Sequence, residues 1–279
     1  MKKTTSLVVG IAFILAMAIP LTAKAEEKVA SLWAQPAPAI DGVLSEWLGF
    51  PRQNENEVDV EYAFRNDEQN LYILFVFKNP AFMSSLNYTG LTVWVNPEGK
   101  KKANAGMRCQ KKRIATAALI ALLEKQGTPL TEEKKKEIQA RASYLVEQNT
   151  IISNKKERLL PLDPGGGSGA AFKSQVSGQS LVFEVRIPFT ELFGASGLPA
   201  IKADEPLWIG FAWGGMTTEM RQAMMRGEPI LEAGGDEYDG GGVNDSTDVE
   251  QRGDVDAGPN WRAPKKYAFW VPVQLAAKQ

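Results

Sequence analysis

Carboxylates and tryptophans are the side chains in this sequence best placed to do chemistry. The densest run of acids lies between Glu232 and Asp256 and holds Asp236, Glu237, Asp239, Asn244, Asp245, Asp248, Glu250, Asp254 and Asp256. Oxygen donors at this density suit calcium, which takes about six to eight of them. Gly234, Gly235 and Gly240 to Gly242 would allow the sharp bends such a site needs. The spacing is not that of an EF-hand, and a solvated acidic loop has the same composition. Asp41 and Glu46 make a second, smaller group of oxygens. Carboxylate pairs can hydrolyse glycosides, but with so many acids no feature singles one pair out. No serine-centred elbow or zinc motif is present.

Two features of composition narrow the chemistry further. The chain has no histidine, which removes the commonest general base, the usual activator of a nucleophile and a favoured zinc ligand. Histidine-ligated haem is excluded with it, and no haem is expected. The one cysteine, Cys109, can form no disulfide within the chain. Its neighbours Arg108, Lys111, Lys112 and Arg113 would lower the pKa of an accessible thiol; the other reading is an incidental thiol on a helix. A binding protein, not an enzyme, is the expectation.

The elements that must position these groups are mostly strands. Val58 to Arg65 alternates apolar and polar, the period of a half-buried strand. Asn66 to Asn70 is turn-rich, and Leu71 to Phe77 is apolar throughout, as in a central strand. Leu91 to Val95 makes a third strand, closed by Asn96-Pro97-Glu98-Gly99. From about 103 to 150 the pattern turns helical. Ile114, Ala117, Ala118, Ala121 and Leu122 share one face; Gly127-Thr128-Pro129 interrupts; and Thr131 with Glu132 and Glu133 starts a second helix. That helix is expected to run through Ile138, Ala142 and Leu145. After a flexible Gly-rich loop at 164–169, strands resume at Leu181 to Ile187, ended by Pro188. Phe189 to Phe193 suits a short helical turn. Leu207 to Trp213 and Tyr267 to Val273 are further strands, separated by a polar stretch over 215–260. Short strands without a βαβ rhythm predict a mainly β fold: an antiparallel two-sheet sandwich, jelly-roll-like, with an inserted α-helical hairpin.

The N-terminus reads as an export signal. Lys2 and Lys3 precede an apolar run from Leu7 to Leu21, and Ala23-Lys24-Ala25 is the small-x-small pattern of a cleavage site. The run is too short to make a good membrane span. A signal peptide over 1–25 and one β-sandwich domain over 26–279 are expected, in the periplasm or outside the cell. The formal charge of −1 argues against a general nucleic-acid binder.

The start of the mature domain, Pro38-Ala39-Ile40-Asp41-Gly42-Val43-Leu44-Ser45-Glu46-Trp47, resembles the opening of the family 9 carbohydrate-binding modules, which belong to the wider DOMON-like β-sandwich group. Val58 to Phe64 followed by Asn70 to Ile73 looks like the family's first hairpin, and Gly90 to Val95 like its next strand. Leu181 to Pro188, with Glu184 and Ile187-Pro188, looks like its late E-x-x-I-P strand, and Ile209 to Phe211 like the strand after it. The likeness spans 36–275, apart from the helical insertion and the acidic loop. It implies a sandwich that binds sugar, usually with structural calcium. Asp41 and Glu46 would then be calcium ligands, alongside Asp236, Asp239, Asp245 and Asp248. Relatives of the fold that bind haem or join redox complexes imply an alternative role as a partner-binding subunit of a cell-envelope complex. The basic runs Lys100 to Lys102, Lys111 to Arg113 and Lys134 to Lys136 would serve such docking.

Sugar binding makes particular demands of side chains. Aromatic faces stack on the C–H faces of pyranose rings, while carboxylates, amides and arginine bond the hydroxyls. The chain has seven tryptophans. In the strand 91–95, Trp94 projects to the face opposite Leu91, Val93 and Val95, with Thr92 and Asn96 beside it. In 207–213, Trp208 shares a face with Gly210 and Ala212, and Trp213 stands at the strand end. Trp94, Trp208 and Trp213 are therefore the expected platform. Arg65, Glu184 and Asn96 are the expected hydroxyl partners, with Arg186 also on a polar strand face. Trp47 is expected to be structural, Trp270 core or edge, and Trp261 to lie in a loop at a ligand rim.

Overall fold

The computed structural model of the chain describes residues 27–79, 86, 89–162, 169–198, 205–216, 221–222, 225–226 and 265–278. The signal segment, Trp261 and the acidic run with Asp236, Asp239, Asp245 and Asp248 lie outside the described residues.

Among the described residues, thirteen strands form two sheets. The larger has seven strands: β1 (Val29–Ala30), β13 (Tyr267–Gln274), β12 (Leu207–Trp213), β6 (Leu91–Asn96), β7 (Ala105–Ala115), β8 (Ser143–Ser153) and β9 (Lys156–Leu159), in that order. The smaller has six: β10 (Ala171–Ser177), β11 (Ser180–Pro188), β5 (Asn70–Phe77), β4 (Val60–Asn66) and β2 (Leu32–Trp33), with β3 (Gln53–Glu55) also paired to β4. Pairing is antiparallel except for β1 with β13 and β2 with β4, so both sheets are mixed at one edge. The two short parallel strands come from one segment that crosses from the edge of one sheet to the edge of the other.

The alternation in sequence fixes which side chains meet between the sheets. Val60, Tyr62 and Phe64 of β4, Ile73, Phe75 and Phe77 of β5, and Phe183 and Val185 of β11 face Val93 and Val95 of β6, Met107 and Cys109 of β7, and Ile209, Phe211 and Trp213 of β12 in one core. Phe211 and Phe75 lie 4.5 Å apart between ring centroids. Each such ring contributes about 2 kcal/mol of burial. β5 is apolar throughout because both its faces are covered. Tyr72, Leu74 and Val76 point away from the main core into a second cluster with Ala34, Trp47, Ala63 and Val182, against which Ile40 and Leu44 pack. The segment before β3 thus lies over the outer face of the six-stranded sheet.

The region expected to be helical from about 103 to 150 is mostly β. Helices occupy only α1 (Thr116–Lys125) and α2 (Glu132–Gln139), at the tip of a long hairpin in which β7 and β8 pair over their full length. Ile114 and Leu145, expected on helix faces, lie on these strands. Thr131 caps α2, its hydroxyl accepting from the Lys134 N–H at 3.2 Å. α3 (Phe189–Phe193) follows β11 and turns Phe189 and Leu192 into the core.

Candidate functional site

Two sites emerge, one on each outer face. On the six-stranded sheet, Glu184 of β11 is fully buried under the opening segment. One carboxylate oxygen accepts the Gly42 N–H at 2.6 Å and the Asp41 N–H at 3.0 Å; the other accepts the indole N–H of Trp47 at 2.6 Å. Gly42 has φ +83°, and a Cβ there would fall 3.0 Å from the Gln175 Cβ, so the position favours glycine. Asp41 turns its own carboxylate back to the Val43 N–H at 2.8 Å. The single 3-10 turn Ser45–Trp47 delivers Glu46 to the same place. Carboxylate oxygens of Asp41, Glu46 and Glu184 all lie within 4.8 Å of one another. None of the three has an ion-pair partner among the described residues. Burial pushes the Glu184 carboxyl up to about 7, against the opposing pull of its N–H donors.

This geometry reassigns two residues expected to meet sugar. Glu184 is fully buried and anchors the opening segment. Arg65 is 5% exposed, donates to the Pro36 carbonyl at 3.0 Å and lies over the Phe50 ring at 4.7 Å. It clasps the same segment from the side. Arg186, on the same sheet face, donates to the Gly169 carbonyl at 2.7 Å. The sequence shows that these residues alternate outward; it does not show that a distant segment then covers the face they point to.

The second site lies on the outer face of the seven-stranded sheet. Trp94, Trp208 and Trp270 all project there and are all half-buried. Trp94 pairs with Gly210, and Gly210 pairs with Trp270 on its other side. The Lys101 ammonium lies 4.8 Å from the Trp208 ring centroid. Thr92 and Arg108 are directly opposed on β6 and β7 of the same face, and Arg108 pairs with Glu157 at 2.7 Å. Neither cluster of buried apolar residues found among the described residues covers this face.

Trp213, expected in the platform, is a core residue instead: it is 2% exposed and packs edge-on against Phe77 at 5.3 Å. The alternation of β12 turns it inward with Ile209 and Phe211, and its position at the strand end does not free it. Asn96 is buried, its amide donating to the Lys102 carbonyl at 3.1 Å and its carbonyl accepting from the Glu98 N–H at 2.8 Å. It shapes the turn after β6. Trp270, read from sequence as core or edge, stands on the outer face beside Trp94. Its place could have been found from alternation with Val271 and Val273, had the terminal strand been phased against them.

No family model and no curated protein matches the chain. Among solved structures, it is similar to a family 9 carbohydrate-binding module of Caldicellulosiruptor kristjanssonii in complex with glucose, at 11% identity over 70% of this chain and 81% of that one, with a TM-score of 0.34. The same module in complex with cellotriose gives 11% identity over 70% and 80% of the two chains, again with a TM-score of 0.34. A protein of Bacteroides uniformis is similar at 10% identity over 68% and 84%, with a TM-score of 0.33.

Proposed function

We propose that this protein is an exported, non-catalytic carbohydrate-binding protein whose ligand lies on the outer face of the seven-stranded sheet. The observation that carries this reading is the gathering of Trp94, Trp208 and Trp270 on one face that no apolar cluster covers among the described residues. Aromatic faces with polar groups at their margin are what a pyranose requires. Thr92, Arg108 and Lys101 supply that margin. Trp94 and Trp208 keep the role expected of them, and Trp270 takes the place first given to Trp213.

Calcium belongs to the same reading at the other face. The donor set at Asp41, Glu46 and Glu184 fits a hard cation: it is all carboxylate oxygen, one member is buried, and no ion pair among the described residues offsets the charge. A calcium ion there would tie the opening segment to β11 electrostatically. Glu184 would share its oxygens between the ion and the N–H donors that orient it. The role is structural, because the cluster lies on the sheet opposite the tryptophans.

The test is a thermal-shift screen of the mature protein, from Glu26, against a panel of mono-, oligo- and polysaccharides, with calcium and with chelator. The expected outcome is a sugar-dependent rise in melting temperature that disappears in Trp94→Ala, since a ligand stabilises the state it binds. Chelation is expected to lower the melting temperature and added calcium to restore it. A melting temperature indifferent to every sugar would defeat the carbohydrate reading in favour of a protein partner in the cell envelope. Indifference to chelator would defeat the calcium reading alone.

A further inference from the structure

At one end of the seven-stranded sheet, two turns carry five lysines. Lys100, Lys101 and Lys102 lie between β6 and β7; Lys155 and Lys156 lie where β8 turns into β9. Ala105 of β7 pairs with Ser153 of β8, and the Asn154 N–H donates to the Asn104 carbonyl at 2.9 Å, so the two turns stand side by side. All five side chains are exposed. Lys100, Lys102, Lys155 and Lys156 make no ion pair among the described residues. Glu157 at this end is engaged by Arg108 at 2.7 Å, and Glu98 and Glu205, beside Gly99, offset only part of the charge.

The backbone holds both turns in set places. Asn96, 2% exposed, donates its amide to the Lys102 carbonyl at 3.1 Å. The same carbonyl accepts the Asn104 N–H at 3.0 Å, and the Lys102 N–H donates to the Lys100 carbonyl at 2.9 Å. The other turn has two residues, since Ser153 pairs with Lys156, and Asn154 and Lys155 take φ of +49° and +66°. Glycine adopts the second position of such a turn without strain, and a lysine does not. Lys155 sets a charge at the tip in spite of that strain. Trp208 stands beside this end: it pairs in register with Asn96, and the Lys101 ammonium lies 4.8 Å from its ring centroid.

We infer that this end of the sheet takes the anionic groups of a polysaccharide, carboxylate or sulfate, so that the glycan the protein binds is an acidic one. This rests on the carbohydrate reading above. Ammonium groups are point charges without the planar fork of arginine, so they read charge and not the geometry of one anion. A neutral ring stacking on Trp208 must displace the Lys101 ammonium, whereas a ring carrying an anion pairs with it. An anionic membrane is the poorer fit. A surface that enters lipid sets projecting apolar side chains among its lysines, and these two turns carry none larger than Pro97.

The test compares saccharides of one backbone that differ in charge, titrated calorimetrically into the mature protein. Gluco-oligosaccharides are set against the same chains oxidised to carboxylates or sulfated at the primary hydroxyl, and galacturonate oligosaccharides against their methyl esters. The charged members are expected to bind at least about tenfold tighter than their neutral partners at low salt, and the difference should shrink as salt rises. Lys100→Gln, Lys102→Gln and Lys155→Gln combined should remove most of that difference. Lys112→Gln, Lys125→Gln and Lys136→Gln combined remove the same charge toward the far end of the β7–β8 hairpin, roughly 20 Å or more away. They should change the affinity less than about twofold. Melting curves of each variant separate lost binding from lost folding. Equal binding of charged and neutral members would overturn the inference while leaving carbohydrate binding in place, and so would an equal loss in both triple variants. Binding to phosphatidylglycerol vesicles but to no charged saccharide would overturn it in favour of a membrane surface. Binding of no saccharide at all would overturn the carbohydrate reading itself.

Discussion

Glu184 shows how much one side chain can carry. It is an acidic residue with no exposed surface, and its burial is tolerated because three N–H groups converge on its two oxygens. Replacing it with alanine strands the indole N–H of Trp47 and two backbone N–H groups in the covered face. Glu184→Ala is expected to cost about 3 kcal/mol or more, read as a lowered urea midpoint; a loss under about 1 kcal/mol would show that water satisfies those donors. Asp67 makes a gentler case in the turn between β4 and β5. Its carboxylate accepts from the Gln69 and Asn70 N–H groups at 2.7 and 2.6 Å and from the Tyr72 hydroxyl at 2.7 Å. Burial alone would raise its pKa, but the hydrogen bonds from Tyr72, Gln69 and Asn70 together hold it below the ordinary carboxylate value. A carboxyl depressed in the folded state stabilises above its unfolded pKa, and that contribution fades as pH falls through the folded value. Asp67→Asn is therefore expected to cost about 1 kcal/mol at neutral pH. The gap between the two proteins should close as the pH drops below the normal carboxylate range. A constant gap from pH 7 to pH 3 would mean that shape, and not charge, is what the turn requires. The sequence marked Asp67 as turn material and Glu184 as a polar-face residue. It could not give either its partners, because those come from a turn geometry and from a segment some 140 positions away.

Strands packed in the sandwich were legible, β6 and β12 from their alternation and β5, covered on both faces, from its unbroken apolar run. β12 runs from Leu207 to Trp213 as expected, β5 and β6 differ from expectation by one residue at one end, and the turn of helix at Phe189–Phe193 is where the pattern put it. β7 and β8 were not legible, and their burial explains why. Only the first part of β7, through Met107 and Cys109, is packed between the sheets; from Lys111 onward the side chains are mostly half-buried or exposed. A hairpin that reaches past its own sandwich loses the apolar alternation by which strands are read. The Ala-rich stretch beyond it then lends its helical pattern to both flanks. The very short strands β1 and β2 carry too few residues to show any period. The register that sets Trp270 and Trp94 on either side of Gly210 is an element-scale feature, since it depends on the pairing of β13, β12 and β6. Gly210→Val tests it. The new side chain would strike the Trp270 indole, with a cost of about 2 kcal/mol for overpacking and a change in tryptophan fluorescence as the ring lifts. Unchanged fluorescence together with unchanged stability would mean that the indole does not rest on Gly210.

At the scale of the molecule, the two sheets are held by one core, and Cys109 lies within it. The thiol is completely buried in β7, and burial, with Glu147 adding to it, pushes its pKa well above that of a free cysteine. Of the basic neighbours that suggested an activated thiol, Arg108 alternates outward and pairs with Glu157, while Lys111, on the same side of β7 as the thiol, donates its ammonium to the Ser174 carbonyl at 3.0 Å. As the one cysteine in the chain, it reports on core opening without interference from a second thiol. In native buffer its reaction with an aromatic disulfide reagent is expected to be on the order of a thousandfold slower than in the urea-unfolded chain, because it must wait for the core to open. If the sandwich opens as one unit, the logarithm of the labelling rate should fall in step with the unfolding free energy as urea is withdrawn, with the slope of the global transition. A shallow slope would reveal that the edge formed by β7, β8 and β9 opens separately from the rest. That outcome would set apart the strand next to Trp94 as well, because Gly106, its partner in register, belongs to β7. Labelling measured in the presence of a saccharide that raises the melting temperature then joins the two scales. Such a ligand should slow Cys109 labelling by the factor by which it stabilises the folded state, and Trp94→Ala should remove most of that protection.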